Sequence, residues 1–253
     1  MARGAVSLVC AAAIVFAGSV VASAAAAQPP HPPRPNSFAE KFGRARQALS
    51  GVPAVARFVA DGVTQFTLDR SNSRPMVQFQ GSHEIIVLES QSAPRGDLVF
   101  KNDVGDVVLR ASGLGGWTVY TPGRPAGAPA SMVGMGDPLH LDPRELPILG
   151  EQLNRVGYRL RAALGHATTV DFDVPPEARN LVIDVLNLTA DAMERVQASD
   201  TQSHLLQIKH IEVDDGPRSE VRIEDATLKI TVTPDLGIAG RPSSAKIARV
   251  LGR

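Results

Sequence analysis

The sequence is poor in the residues that staple, stack or steer. It has one cysteine, Cys10. One thiol makes no intramolecular disulfide and no multi-cysteine zinc site, so the fold has to rest on an ordinary apolar core. Aromatic residues are 4% of the chain, with one tryptophan and two tyrosines. That is thin provision for the stacking platforms that hold single-stranded nucleic acid. Neither sign of charge is in surplus, since Lys plus Arg and Asp plus Glu both number 26. Without a basic excess, nucleic acid is not an expected partner. Past the N-terminus no apolar run approaches the length of a membrane span. No motif for a cofactor or a metal is present, and none is expected to bind.

The first 27 residues, "MARGAVSLVCAAAIVFAGSVVASAAAA", differ from the rest. Arg3 is followed by an apolar run and then by small residues, the layout of a secretory signal peptide. Cleavage is expected after Ala27, leaving Gln28 first. The rival is retention as a membrane anchor. Cys10 lies inside the apolar run, behind Val9, and is read as part of the signal and not as a lipidation site. Residues 28–36, "QPPHPPRPN", hold five prolines and predict an extended spacer. The expected location is therefore periplasmic or secreted.

Residues 37–121 predict a short helix and then an antiparallel β-meander. Ser37 and Glu40 form a capping box, with Phe38, Phe42, Ala45 and Leu49 on one face and Gly51 as a stop. The period then becomes two. "TQFTLDR", "RPMVQFQ", "EIIVLES", "DLVFKN", "DVVLRAS" and "WTVYTP" read as short strands separated by turn residues. "KNDVGD" fits a turn closed by Gly105 in a left-handed conformation. "SGLGGW" at 112–117 is the best candidate for a nucleotide loop. A phosphate loop needs a helix after its glycines, and here a β-branched, aromatic stretch follows, so a hairpin turn is expected. Residues 122–142 are rich in Gly, Pro and Ala and read as a loop or linker.

Residues 143–253 predict a second, α+β half. Leu149, Leu153, Val156, Leu160 and Leu164 form a helical stripe ended by Gly165. "TTVDFDV" alternates as a strand. A helix entered through prolines puts Ala178, Leu181, Val182, Val185, Thr189, Ala192 and Val196 on one face. "LLQIKHIEV", "SEVRIED" and "TLKITVT" read as strands, and a short basic helix capped by Ser243 or Ser244 closes the chain.

Chemistry is hard to find. The six histidines show no metal-ligand spacing, although His204 and His210 could share one face of a strand. Ser243-Ser-Ala-Lys246 spells S-x-x-K, but at the end of the chain it reads as a helix cap. The pairs Asp171/Asp173 and Asp214/Asp215 are expected on solvent-facing strand and turn positions. Arg95-Gly-Asp97 reads as a turn. The sequon at 187–189 falls mid-helix. Trp117 and Tyr120 are expected as a half-buried hairpin pair. No residue stands out as catalytic.

The blocks LDRS, RPMVQF, APRGD, KNDVGD and LGG, with GRPSS near the C-terminus, resemble a family of exported proteobacterial proteins catalogued as a domain of unknown function. The resemblance covers most of the chain after the signal. It implies export and one functional unit, and it carries no activity and no site residue.

The expected fold is α+β: an N-terminal antiparallel β-meander, then a mixed half with two long helices and several strands. Two functions fit. One is a non-enzymatic cell-envelope protein that binds a periplasmic partner or ligand. The other is a periplasmic hydrolase using carboxylates and arginine near the sheet edge, with Asp97, Asp103 and Arg95 as candidates.

Overall fold

The computed structural model of the chain describes residues 48–141, 146–198 and 205–252. The expected cleavage point at Ala27 and Gln28, the proline spacer, most of the first helix and His204 lie outside them. The described residues belong to an α+β fold, and those of both halves fall within one compact unit.

The first half is an antiparallel sheet of nine strands: β1 (Val55–Ala60), β2 (Thr64–Asp69), β3 (Met76–Phe79), β4 (Ile85–Val87), β5 (Glu89–Ser92), β6 (Leu98–Lys101), β7 (Val107–Ala111), β8 (Trp117–Thr121) and β9 (Arg124–Met135). Their order is β4-β3-β2-β1-β9-β8-β7-β6-β5. β4 and β5 are therefore the two outer strands, yet Leu88 alone separates them. The sheet must curl until its edges meet. "EIIVLES" is one kinked strand, pairing first with β3 and then with β6. The result is a barrel-like ring of eight staves, a size whose interior side chains can fill. Phe58 stacks on Phe66 at 5.1 Å, Trp117 lies 4.9 Å from Phe58, and Phe100 lies 5.9 Å from Trp117. Trp117 is thus a core residue, buried more deeply than a half-buried hairpin pair requires.

The stretch read as a loop or linker, 122–142, contains the longest strand. β9 pairs with β8 on one side and with β1 on the other. Its small residues are what misled. Ala128 and Ala130 point into a barrel already occupied by large rings, and Ala130 lies opposite Trp117. Gly127 has φ 84°, and a Cβ there would meet Tyr120 and Thr118 at 2.7 Å. Small size here reflects packing and not looseness.

The second half contains α1 (Leu146–Leu164), β10 (Thr169–Asp173), α2 (Arg179–Gln197), β11 (His210–Asp215), β12 (Glu220–Glu224), β13 (Thr227–Val232) and α3 (Ser244–Leu251). The sheet order is β10-β11-β13-β12, with the first three strands parallel and β12 antiparallel. Ile211, Val213, Leu228, Ile230 and Val232 pack with Leu160, Leu164, Val185, Met193 and Ile247 in one core. Lys229 and Glu212, paired at 3.3 Å, are partly exposed strand residues between these apolar positions. Every predicted face residue of α2 is buried, and so are Ile183, Asp184, Leu186 and Leu188. A helix apolar on nearly all sides is a central one. Among the described residues no helix is long and apolar enough to cross a membrane.

Candidate functional site at the junction of the two halves

Two barrel turns hold the entrance to α3. The first, between β3 and β4, carries His83 and Glu84. The Glu84 carboxylate accepts hydrogen bonds from the Ser244 backbone N–H at 2.9 Å and from the Ser244 hydroxyl. The second, between β6 and β7, is organised by Asn102, whose Oδ1 accepts from the N–H groups of Val104 and Asp106. Its Asp103 accepts from the backbone N–H and hydroxyl of Ser243. Ser243 is the N-cap of α3 and accepts from the Lys246 N–H at 3.1 Å. Carboxylates at a helix N-terminus satisfy its free donors and oppose its dipole. Arg241 completes the clasp. It forms an ion pair with Asp184 of α2, and it donates to the Ile85 carbonyl at 3.0 Å. Both side chains of that pair are more than nine-tenths buried. Burial pushes the Asp184 carboxyl above the ordinary carboxylate range, and Arg241 pulls it back.

A second chain of charge runs beside the clasp. His83 Nε2 lies 3.0 Å from Asp191 Oδ2 on α2. Arg159 of α1 donates to Asp191 at 2.6 Å and to Glu194 at 3.0 Å. The hydrogen bond to Asp191 raises the His83 pKa, against the opposing effect of burial. Burial raises Asp191, but the hydrogen bonds from His83 and Arg159 outweigh it and leave that carboxyl below its ordinary value.

A cavity of about 310 Å³ opens where these parts meet. Gln78, His83 and Ile85 come from the barrel, His140 and Leu141 from the chain after β9, Gln152 and Arg155 from α1, and Asp184 and Asn187 from α2. A wider groove of about 610 Å³ lies at the carboxyl ends of β11 and β13, walled by Glu177, Asp215 and Asp235. Leu141 borders both.

The sequence candidates land elsewhere. Asp97 is buried and accepts from the Gly113 N–H at 2.9 Å and from Arg110. The Gly113 N–H first, then Arg110, hold its pKa below the ordinary carboxylate value. Asp103 is committed to Ser243, and Arg95 is exposed with φ 67°. Asp97 and Asp103 hold different partners and do not assemble with Arg95 as a catalytic group. The "SGLGG" glycines form the β7–β8 turn, as expected. Two of their three N–H groups are taken: Gly113 by the Asp97 carboxylate, and Gly115 by the Ser112 carbonyl. An internal carboxylate sits where a nucleotide loop would place a phosphate.

Ser243 is a helix cap, as its sequence context predicts. His210 makes a contact with Thr169, and its Nε2 lies 3.3 Å from the Asp171 carboxylate. Asp171 and Asp173 are exposed. Asp214 is partly buried; that burial, then Glu212 and Asp173, push its carboxyl upward. Thr189 of the sequon is buried and donates to the Val185 carbonyl. Among the described residues no group of three or more His, Cys, Asp or Glu side chains is arranged to hold a metal.

Sequence reasoning missed Glu84, Asp184, Arg155 and Arg241. Asp184 did leave a trace: "LVIDVLN" places a carboxylate inside an otherwise apolar helical stretch, which calls for a buried cation.

The blocks that carry the family resemblance pair with one another in space. APRGD meets the turn that carries LGG, through Asp97 and Gly113 just before that block, and KNDVGD meets GRPSS through Asp103 and Ser243. In LDRS, Asp69 accepts from the Leu139 N–H at 2.8 Å, and Arg70 donates to the carbonyls of Val52 and Pro53. The model of the family described as "Domain of unknown function (DUF4908)" matches residues 37–251. The chain belongs to this family. No curated protein and no solved structure matches it. In this chain the blocks that carry the resemblance thus include clasps that fix one turn against another.

Proposed function

We propose that the chain is an exported protein of the bacterial cell envelope that binds a small polar ligand at the junction of barrel and helices without transforming it. The junctional cavity carries this reading. Its walls come from both halves, and Asp184 and His83 are each held by a partner. Among the described residues its lining contains no serine, threonine or cysteine. That favours binding over nucleophilic catalysis. Export rests on the N-terminal pattern ending at Ala27. The test is native mass spectrometry of the protein recovered from a periplasmic fraction. A chain starting at Gln28 that carries a non-covalent small molecule supports the proposal. A chain retained in the cytoplasm, or one that never carries a ligand, overturns it.

One observation favours hydrolysis as a second reading. His83, which lines the cavity, pairs with the Asp191 carboxylate, the arrangement of an oriented general base. Under that reading His83→Asn would abolish turnover of a hydrolysable substrate found in the cavity. Under the binding reading the same ligand is released unchanged by both proteins.

A further inference from the structure

The charges around the junctional cavity do not cancel at every point. Asp184 is matched by Arg241, and Asp191 by His83 and Arg159. Arg155 also lines the cavity, and among the described residues it has neither a carboxylate partner nor a hydrogen bond. Gln152 stands three residues before it on α1, so the two share a helix face. The Gln152 amide likewise makes no hydrogen bond among the described residues, and it lines the same space. The cavity therefore offers a planar guanidinium fork and an amide N–H₂ that nothing among the described residues uses. Among the described residues the one carboxylate in its lining, Asp184, is already paired with Arg241.

We infer that this cavity is a site for a small oxyanion, a carboxylate or phosphate group, with Arg155 as its guanidinium partner; the inference rests on the binding reading above. A guanidinium takes two oxygens of such a group through parallel hydrogen bonds, and Gln152 supplies a third donor. The competing occupant would be a metal cation. Among the described residues no set of three ligating side chains is arranged for it, and Asp184 is committed to Arg241. A volume of about 310 Å³ is at the small end for ligand sites, which limits the ligand to a short organic acid or a small phosphate.

The test is NMR titration of the isotope-labelled chain from Gln28 with succinate and, separately, inorganic phosphate, following the Arg155 Nε–H and Gln152 amide resonances. Saturable shifts at these two groups are expected. Arg155→Gln should weaken binding about ten- to a hundredfold, the loss of a charge-assisted pair. Gln152→Ala should weaken it less, and Arg222→Gln on the distant β12 should change nothing. Saturation by succinate alone or by phosphate alone identifies which oxyanion is preferred, and either supports the site. Equal binding by wild type and Arg155→Gln, equal shifts with chloride, or no saturation up to about 10 mM overturns it. If glycerol or putrescine saturates the cavity resonances and both anions fail, the binding reading stands and the oxyanion assignment falls.

Discussion

Glu84 and Ser244 stand 160 residues apart in sequence, yet the carboxylate of one takes both donors of the other. Ser244 is 1% exposed and Glu84 8%. The contact ties a barrel turn to the first turn of the last helix. It satisfies a backbone N–H that an α-helix leaves without an internal partner.

Replacing Glu84 by alanine should therefore do more than remove a surface charge. The Ser244 N–H and hydroxyl would be left buried without an acceptor. Two hydrogen bonds lost in a water-poor position put the loss at about 3 kcal/mol. Urea denaturation of wild type and Glu84→Ala measures it. Glu84→Gln keeps one acceptor oxygen and should recover part of the loss. Equal stability of all three proteins would mean that α3 is held by its apolar face alone.

Arg241 and Asp184 make a sharper case, because both are buried. Arg241→Met leaves the Asp184 carboxylate with no cation in an apolar helix surface, at a cost of about 3–5 kcal/mol. The double replacement Arg241→Met with Asp184→Leu removes the stranded charge and should be clearly more stable than Arg241→Met alone. A double-mutant cycle by chemical denaturation gives the coupling. Additive losses would show that each side chain acts through its other contacts, such as the bond from Arg241 to the Ile85 carbonyl.

These two contacts mark where the sequence stops being legible. The strands from β2 to β8 can be found because a half-buried strand must alternate, and Phe66, Leu68, Phe100 and Leu109 do so. The stripe of α1 and the face of α2 follow from helical spacing in the same way. β9 cannot be found this way, because its inward residues are alanines that read as turn or linker composition. Their size is set by Phe58 and Trp117, which are contributed by other strands. Barrel closure is hidden for a related reason. "EIIVLES" looks like one strand, and only pairing shows that it changes partner at Leu88. The junction is harder still. Arg155 looks like an ordinary charge on a helix, and "LVIDVLN" marks Asp184 as unusual without showing that Arg241 is its partner.

The turn that first suggested a nucleotide loop gives a test of packing. Gly113 has backbone of Arg95 and Gly96 close by: a Cβ there would lie 2.8 Å from the Arg95 carbonyl oxygen. Gly123, in the next hairpin turn, has nothing within 4 Å. Gly113→Ala should thus destabilise by about 1–3 kcal/mol, the cost of forcing backbone apart in a packed turn. Gly123→Ala should be neutral or slightly stabilising, because it restricts the unfolded chain without a clash. Thermal melts of the two variants side by side check this. A smaller loss for Gly113→Ala than for Gly123→Ala would refute the close approach.

The His83–Asp191 pair gives the protein a pH response whose sign follows from the shifts. His83 has a raised pKa in the folded state, chiefly from its hydrogen bond to Asp191. Its contribution to stability is complete below the ordinary histidine value of about 6.5 and fades as pH rises through the folded value. Asp191 works in the other direction. Its pKa is lowered, so its contribution is present above the ordinary carboxylate value of about 3.9 and fades as pH falls through the folded one. Between these limits the pair is fully charged. His83 is half-exposed, so solvent screening keeps the effect small. Substituting His83→Asn should leave a stability profile that is flatter just above pH 6.5 than that of the wild type. An NMR titration of the His83 ring should show its midpoint displaced upward in the wild type and returned toward the ordinary value in Asp191→Asn. An unshifted midpoint in the wild type would mean that the ring does not keep its carboxylate partner in solution, and His83 would then face the cavity free to meet an incoming ligand.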